Sequence, residues 1–508
     1  MKQNWVNCLL GDIVILKNGY AFKSLEYQNT GVPIVRISDI NESIVELSDS
    51  KCIFENEEFD KFQVESGDIL IAMSGATTGK FGIYKGTKKA YQNQRVGNLK
   101  PISPKNSNKD FLYYLLFSLK REIEKKAYGG AQPNISSSNI EAIEIALPPL
   151  LEQQRIVAKI EELFSELDQG VNNLMTAQAQ LKVYRQALLK QAFEGKLTEQ
   201  WRRDNQDQLE SASDLQKRIQ EERSQRYQQQ LQEWETDGKQ GGKPKAPKTL
   251  ASLSAEELFE LPDLPNGWSY TKIGNLIDDP TYGTSKKCDY ETDGIGVLRI
   301  PNVVSGKIDS TDLKFASFTE EEIATYKLNS GDILIIRSNG SVSIVGRCAL
   351  IAKADVNYLY AGYLIRLRPL RNLVQSKYLL NAFLLHGTRK QIEKKAKSTS
   401  GVNNINTGEI QSLVIALCGT EEQEQIVLTL ESKLSSIDQL ELTITTALKQ
   451  SEALRQSILK KAFSGQLVPQ DANDEPASVL LARIKAEKAA MADTPKKARS
   501  KGSLHVSN

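Results

Sequence analysis

The chain is poor in the residues on which much protein chemistry depends. Its 508 residues include two histidines, His386 and His505, and five cysteines, Cys8, Cys52, Cys288, Cys348 and Cys418. The cysteines are scattered, odd in number and never spaced C-x-x-C, which argues against a disulfide framework or a zinc site. They read instead as small buried hydrophobes in a reducing cytosol. The histidines have no counterparts elsewhere in the chain, so imidazole catalysis and metal ligation are not expected. No run of about 18 apolar residues is present, which leaves no candidate membrane helix. The opening MKQNWVNCLLGDIVILKNG lacks the apolar stretch and cleavage site of a signal peptide. A cytoplasmic location is the expectation. Net charge is only +2, so any phosphate affinity must come from local basic patches.

Nucleotide motifs are missing as well. Ser74-Gly75-Ala76-Thr77-Thr78-Gly79-Lys80 follows a predicted strand and resembles a phosphate loop. It is one residue short between its glycines, and Phe81 stands where Ser or Thr would meet magnesium. Asp293-Gly294-Ile295-Gly296 is too short for a dinucleotide fingerprint. Neither an F-x-G-x-G nor an N/D-P-P-Y methyltransferase run occurs, and no nuclease constellation is visible. The chain does not read as an enzyme.

What it has is its own sequence twice. YRQALLKQAFEGKL (184–197) returns about 270 positions later as LRQSILKKAFSGQL (454–467), far beyond any solenoid period. Each copy opens on a tryptophan, Trp5 or Trp268. Short strand-like runs follow: VPIVRISDI (32–40) against IGVLRIPNV (295–303), and GDILIAMSG (67–75) against GDILIIRSNG (331–340). The apolar core of GDIL is continuous, which predicts a strand buried on both faces. QNQRVGNLKP (92–101) and YAGYLIRLRP (360–369) read as strands, and 110–127 and 376–396 as helices. Polar loops with an Asn-Ile pair come next, then closing strands at 140–149 and 410–419. The fold class is α+β: two globular mixed α/β domains with an internal pseudo-twofold repeat.

A long helix is predicted after each domain. Ile160, Leu163, Leu167, Leu174, Ala177, Leu181, Tyr184 and Leu188 hold a and d positions in the first. Leu430, Leu434, Ile437 and Ile444, then Ala447, Leu454 and Ile458, do so in the second. Gly170 interrupts the first seam. Packing on each other as antiparallel coiled-coil helices explains both stripes. The predicted boundaries are domain one at 1–150, the first helix at 151–198, a helical and flexible connector at 199–265, domain two at 266–420, the second helix at 421–468, and a C-terminal helix with a disordered tail at 469–508. The connector helix 214–235 reads as polar almost all round.

PPLLEQQRIVAKIEELFSELD and EEQEQIVLTLESKLSSID, with the repeated segments after them, resemble the central and C-terminal helical regions of type I restriction-modification specificity subunits. GDILIIRSNGSVSIVGR and TYGTSKK resemble motifs of their target recognition domains. The resemblance implies a non-catalytic reader of double-stranded DNA, each domain taking one half of a split, asymmetric target. It implies two methyltransferase subunits and two motor-nuclease subunits as partners. Those partners would hold S-adenosylmethionine, ATP and Mg, with no cofactor and no metal in this chain. Loop position and side-chain chemistry nominate DNA-binding residues. In the first domain they are Lys23, Ser74, Thr77, Lys80, Gln92, Asn93, Arg95, Gln132 and Asn134. In the second they are Tyr282, Thr284, Ser285, Lys286, Lys287, Ser338, Asn339, Arg347, Tyr360, Asn403 and Asn404. A coiled-coil scaffold whose twin domains bind protein is the alternative.

Overall fold

The computed structural model describes residues 4–41, 43–47, 50–127, 133–239, 242–399 and 401–492. The tail expected to be disordered from Asp493 on lies outside them. The chain divides into two units, Met1–Met175 with Thr445–Asn508, and Thr176–Ile444. Each is built from one domain and half of each long helix.

In the first unit the opening strand Val6–Leu9 pairs antiparallel with the closing strand Glu144–Leu147, Val6 opposite Leu147. In the second, Ser269–Lys272 pairs in the same way with Val414–Leu417. The long helices Leu150–Phe193 and Thr420–Phe463 start a few residues beyond the closing strands. A tryptophan before each opening strand reaches that helix start. Trp5 Nε1 donates to Glu152 Oε2 at 3.0 Å, and Trp268 Nε1 to Glu422 Oε2 at 2.8 Å. The next residue is glutamine in both copies, and its side chain donates back to the chain entering the helix: Gln153 to Pro148 O and Gln423 to Cys418 O, each at 2.9 Å.

The GDIL repeat is now explained. Gly67 and Gly331 take φ of +85° and +94°, a left-handed turn that favours glycine. Asp68 and Asp332, both buried, accept the backbone N–H of Glu65 and Asn329. Each also meets a cation of the adjacent strand: Lys100 at 2.8 Å from Asp68, and Arg368 at 2.7 and 2.8 Å from Asp332. The strands that follow, Ile69–Ala72 and Ile333–Ile336, are buried along their whole length. Each lies between two antiparallel neighbours, Val96–Pro101 and Phe81–Tyr84 in the first unit, Leu364–Leu367 and Cys348–Leu350 in the second.

Several predicted elements are shorter than the sequence suggests. The strand at 295–303 ends at Leu298 and gives way to a helical turn, Ile300–Val303. Pro301 cannot donate to a ladder, and Asn302 Oδ1 accepts the Arg299 N–H at 2.7 Å. The helix at 376–396 is two helices, Ser376–Leu384 and His386–Lys395, with Leu385 extended between them. The closing strands are preceded by helical turns, Ser137–Glu141 and Thr407–Gln411. All five cysteines are free, and burial lifts the thiols of Cys8 and Cys348 to about 12.

Each long helix has 44 residues, roughly 66 Å at 1.5 Å per residue. Within each unit the two helix segments run antiparallel. In the first, Arg155 binds Asp474 and, further along, Asp168 meets Arg455. In the second, Arg185 binds Asp438 at 2.5 Å and Thr198 reaches back to Glu422. The seam is half-buried at Leu163, Leu167, Leu174, Ala177 and Leu181, as expected. Tyr184 and Leu454 depart from it: both are about half exposed, and the neighbouring arginines, Arg185 and Arg455, occupy the seam instead. The two ion pairs are repeat mates, because Asp168 and Asp438 are equivalent and so are Arg185 and Arg455. Phe164 backs Arg455, its ring centroid 4.4 Å from the guanidinium carbon.

The connector helix Ala212–Thr236 is not polar all round. Ala212, Leu215 and Ile219 are buried against the second domain. Their repeat mates Ala477, Leu480 and Ile484, in helix Ala477–Ala492, are buried against the first. Ala212 N donates to Gly267 O at 2.7 Å, and Ala477 N to Asn4 O at 3.0 Å. Arg223 and Lys488 then donate to the carbonyls of the equivalent glycines Gly274 and Gly11.

One asymmetry is chemical. Glu422 Oε1 accepts from Thr198 Oγ1 at 2.7 Å and Arg202 at 2.5 Å. The repeat replaces these with Val468 and Ala472, and Glu152 Oε1 is buried with no hydrogen-bond partner. Val468→Thr, which restores the hydroxyl, is expected to raise stability by about 1 kcal/mol. Glu422→Ala, which strands Arg202 and the Trp268 N–H, should cost about 3 kcal/mol or more. Chemical denaturation of both variants checks the pair. A side chain built at Gly170 meets nothing within 4 Å. Gly170→Ala should therefore stabilise the helix by about 1 kcal/mol, read as a rise in melting temperature.

Candidate nucleic-acid interface

The loops after the two buried GDIL strands meet the Asn-Ile loops that precede the closing strands. In the first domain Ser74 forms an isolated antiparallel bridge with Asn134. In the second, Ser338–Asn339 pairs with Val402–Asn404, Ser338 opposite Asn404. Across from each lies a third segment. Met73 N donates to Arg95 O at 2.9 Å, and Arg337 N to Tyr363 O at 3.0 Å. The same backbone frame is built twice, with different side chains on it.

In the first domain this frame encloses a cleft of about 560 Å³. Ser74, Arg95 and Asn134 line it, together with Asn18, Gln94 and Ser136. Arg95 and Asn134 are exposed, and the Ser74 hydroxyl is buried without a partner. Asn93 turns inward locally, its Oδ1 accepting the Arg95 N–H at 3.3 Å. Thr77 donates to Ile37 O at 3.3 Å, and Lys80 is half-buried beside it. Lys23 is exposed at a separate turn, Ser24–Glu26. Gln132 lies outside the described residues. Gln92 is only 2% exposed, and its amide donates to Lys17 O at 2.7 Å and Val96 O at 2.6 Å. That amide ties strands together and presents no N–H outward.

The second domain sorts the same way. Tyr282, Ser338, Asn339, Asn403 and Asn404 gather at the frame. Asn403 Nδ2 donates to Gly340 O at 3.0 Å, and Asn339 Oδ1 accepts the Ser341 N–H at 2.9 Å. Ser285 and Lys287 are exposed. Lys286 is exposed too, but its ammonium sits 2.8 Å from the Glu322 carboxylate, which holds that carboxyl below its usual range. Arg347 braces its own loop, donating to Ser343 O at 3.1 Å and Val304 O at 3.3 Å. Thr284 and Tyr360 are buried. Thr284 Oγ1 caps the Lys286 N–H, and Tyr360 donates to Thr281 O while burial raises its phenol to about 12.

Two residues at the frame escape a reading of loop position. Arg337 and Tyr363 sit at strand ends inside apolar runs, GDILIIRSNG and YAGYLIRL, where they read as strand residues. The signal was there in the comparison of copies: Arg337 falls where the first copy has Met73. Gln92→Ala should lower the free energy of unfolding by about 2 kcal/mol through the lost carbonyl bonds, without altering ligand selectivity. Denaturation and binding measured on one preparation separate the two effects.

A family model described as the type I restriction modification DNA specificity domain matches residues 2–177 and 265–450. The specificity subunit of the type I restriction enzyme EcoKI from Escherichia coli K12 is 27% identical over 96% of this chain and 97% of its own length. That of StySPI from Salmonella potsdam is 26% identical over 96% of each. Among solved structures, one from work on complex assembly and conformational transition of the type I R-M system shares the fold, with a TM-score of 0.62 at 18% identity over 91% of this chain and 98% of that one. The HsdS subunit from Thermoanaerobacter tengcongensis gives 0.51 at 17% identity, over 92% and 98%.

Proposed function

The chain belongs to the type I restriction-modification DNA specificity family, and from that premise we propose that it reads a split, asymmetric DNA target for partner subunits that methylate and cleave. Each domain contacts one half-site. The observation that carries this reading is the repeated frame with unlike side chains. Ser74, Arg95 and Asn134 stand at one frame, and Tyr282, Arg337, Asn403 and Asn404 at the other. Equal frames favour equivalent docking on duplex DNA. Unlike hydrogen-bonding groups favour unlike base sequences, since amides match adenine edges and guanidinium groups match guanine. Buried Gln92, Thr284 and Tyr360 drop out of the contact set.

The chemistry belongs to the partners. Two methyltransferase subunits supply S-adenosylmethionine-dependent methylation, and two motor-nuclease subunits supply ATP- and Mg-dependent cleavage. This chain contributes position and sequence choice and acts without a cofactor of its own.

Sequencing of methylated adenines in a host that carries the chain with its methyltransferase tests the reading. A two-part motif with unlike halves is expected; a continuous palindrome would overturn it. Arg95→Ala and Lys80→Ala should each weaken duplex binding several-fold and lower the salt slope by about 1. Titrations at three salt concentrations give that slope.

A further inference from the structure

On the reading that the second domain takes one half of the target, we infer that Arg337 selects a guanine in that half-site. Strand Ile333–Ile336 carries Arg337 to the frame, and its backbone is held from both sides: its N–H donates to Tyr363 O at 3.0 Å, and its carbonyl accepts from Ile405 N at 2.8 Å. The side chain is held too. Its guanidinium carbon lies 4.5 Å from the centroid of the Tyr282 ring, and Nε donates to Asn404 Oδ1 at 3.3 Å. Tyr282 is itself anchored, its hydroxyl accepting the Thr407 N–H at 3.2 Å.

What is left over is the outer edge of the fork. Among the described residues neither Nη of Arg337 has a hydrogen-bond partner, and no carboxylate pairs with it. Other arginines of the domain use their Nη groups on the protein: Arg299 on Asp312, Arg366 on Lys327 O, Arg368 on Asp332. A planar guanidinium set over a ring and held at Nε presents two parallel N–H donors. The guanine edge in the major groove offers O6 and N7 as two acceptors at matching spacing. Because the side chain is already ordered, little rotamer entropy is lost on contact. The first domain has Met73 at the equivalent position and an arginine, Arg95, across the frame instead. The two domains therefore offer their guanidinium groups from different segments.

The test is selection from a randomised duplex library by the full chain assembled with its methyltransferase subunit. Wild type should return a guanine at one fixed position of one half-site. Arg337→Met, which installs the first domain's residue, should leave that position unspecified, lower affinity for the wild-type target on the order of 10- to 100-fold, and leave the other half-site intact. Arg337→Lys keeps the charge without the fork and should keep the salt slope while losing most of the guanine preference. An unchanged base profile in both variants overturns the assignment. So does a uniform weakening across all sequences with a shallower salt slope, which marks a phosphate contact. A wild-type complex that selects no sequence at all defeats the broader reading instead, a result distinct from either.

Discussion

The hydrogen bond from a tryptophan indole to a buried glutamate is the joint around which each half of this chain is arranged. It ties the residue before the opening strand to the first turn of the long helix, which starts where the closing strand ends. Strand pairing alone would bring the two ends of a domain together. The indole–carboxylate bond, with the glutamine beside it, fixes the direction in which the helix leaves. Everything distal to that turn, including the Asp–Arg pairs of the seam, inherits its angle. A small error at residue 152 or 422 would be multiplied along a helix of about 66 Å.

The two joints are not equally made. At Glu422 both carboxylate oxygens are satisfied, and the charge is neutralised by Arg202. At Glu152 one oxygen is unmet, because the repeat substituted Val468 and Ala472. Arg155 instead pairs with Asp474, where the second unit has Gln425 and Asp204. Duplication thus preserved the backbone geometry and the indole bond while the surrounding charges were rebuilt. The readers diverged further, since nothing in the packing of the frame dictates what stands on its outer edge.

Much of the architecture was legible because it repeats. GDIL, the paired tryptophans and the heptad stripes are each visible twice, and a feature seen twice is hard to mistake for chance. What stayed hidden were pairings between distant segments. Tyr184 and Leu454 fit the heptad by type, yet the seam takes Arg185 and Arg455, because an ion pair across the helices competes with an apolar contact at its margin. Gln92 and Tyr360 open strand-like runs and Thr284 follows a short polar stretch, and only the fold shows their polar groups facing backbone carbonyls and amides. Arg337 was hidden in the opposite way, by apolar neighbours that made it read as part of a strand.

The helix Ala477–Ala492 packs on the first domain, bonding to Asn4, while the connector helix before the second domain lies close to it in sequence. That difference matters during synthesis. The second unit is one continuous stretch, Thr176–Ile444, and can close as soon as it leaves the ribosome. The first unit needs Phe463 against Phe111, Asp474 against Arg155 and Ala477 against Asn4, separations of hundreds of residues. Its opening strands must wait, incompletely covered, until nearly the whole chain has been made. The half that is translated first is the half that finishes folding last, and its unfinished surface is where a nascent chain of this kind is most exposed to aggregation.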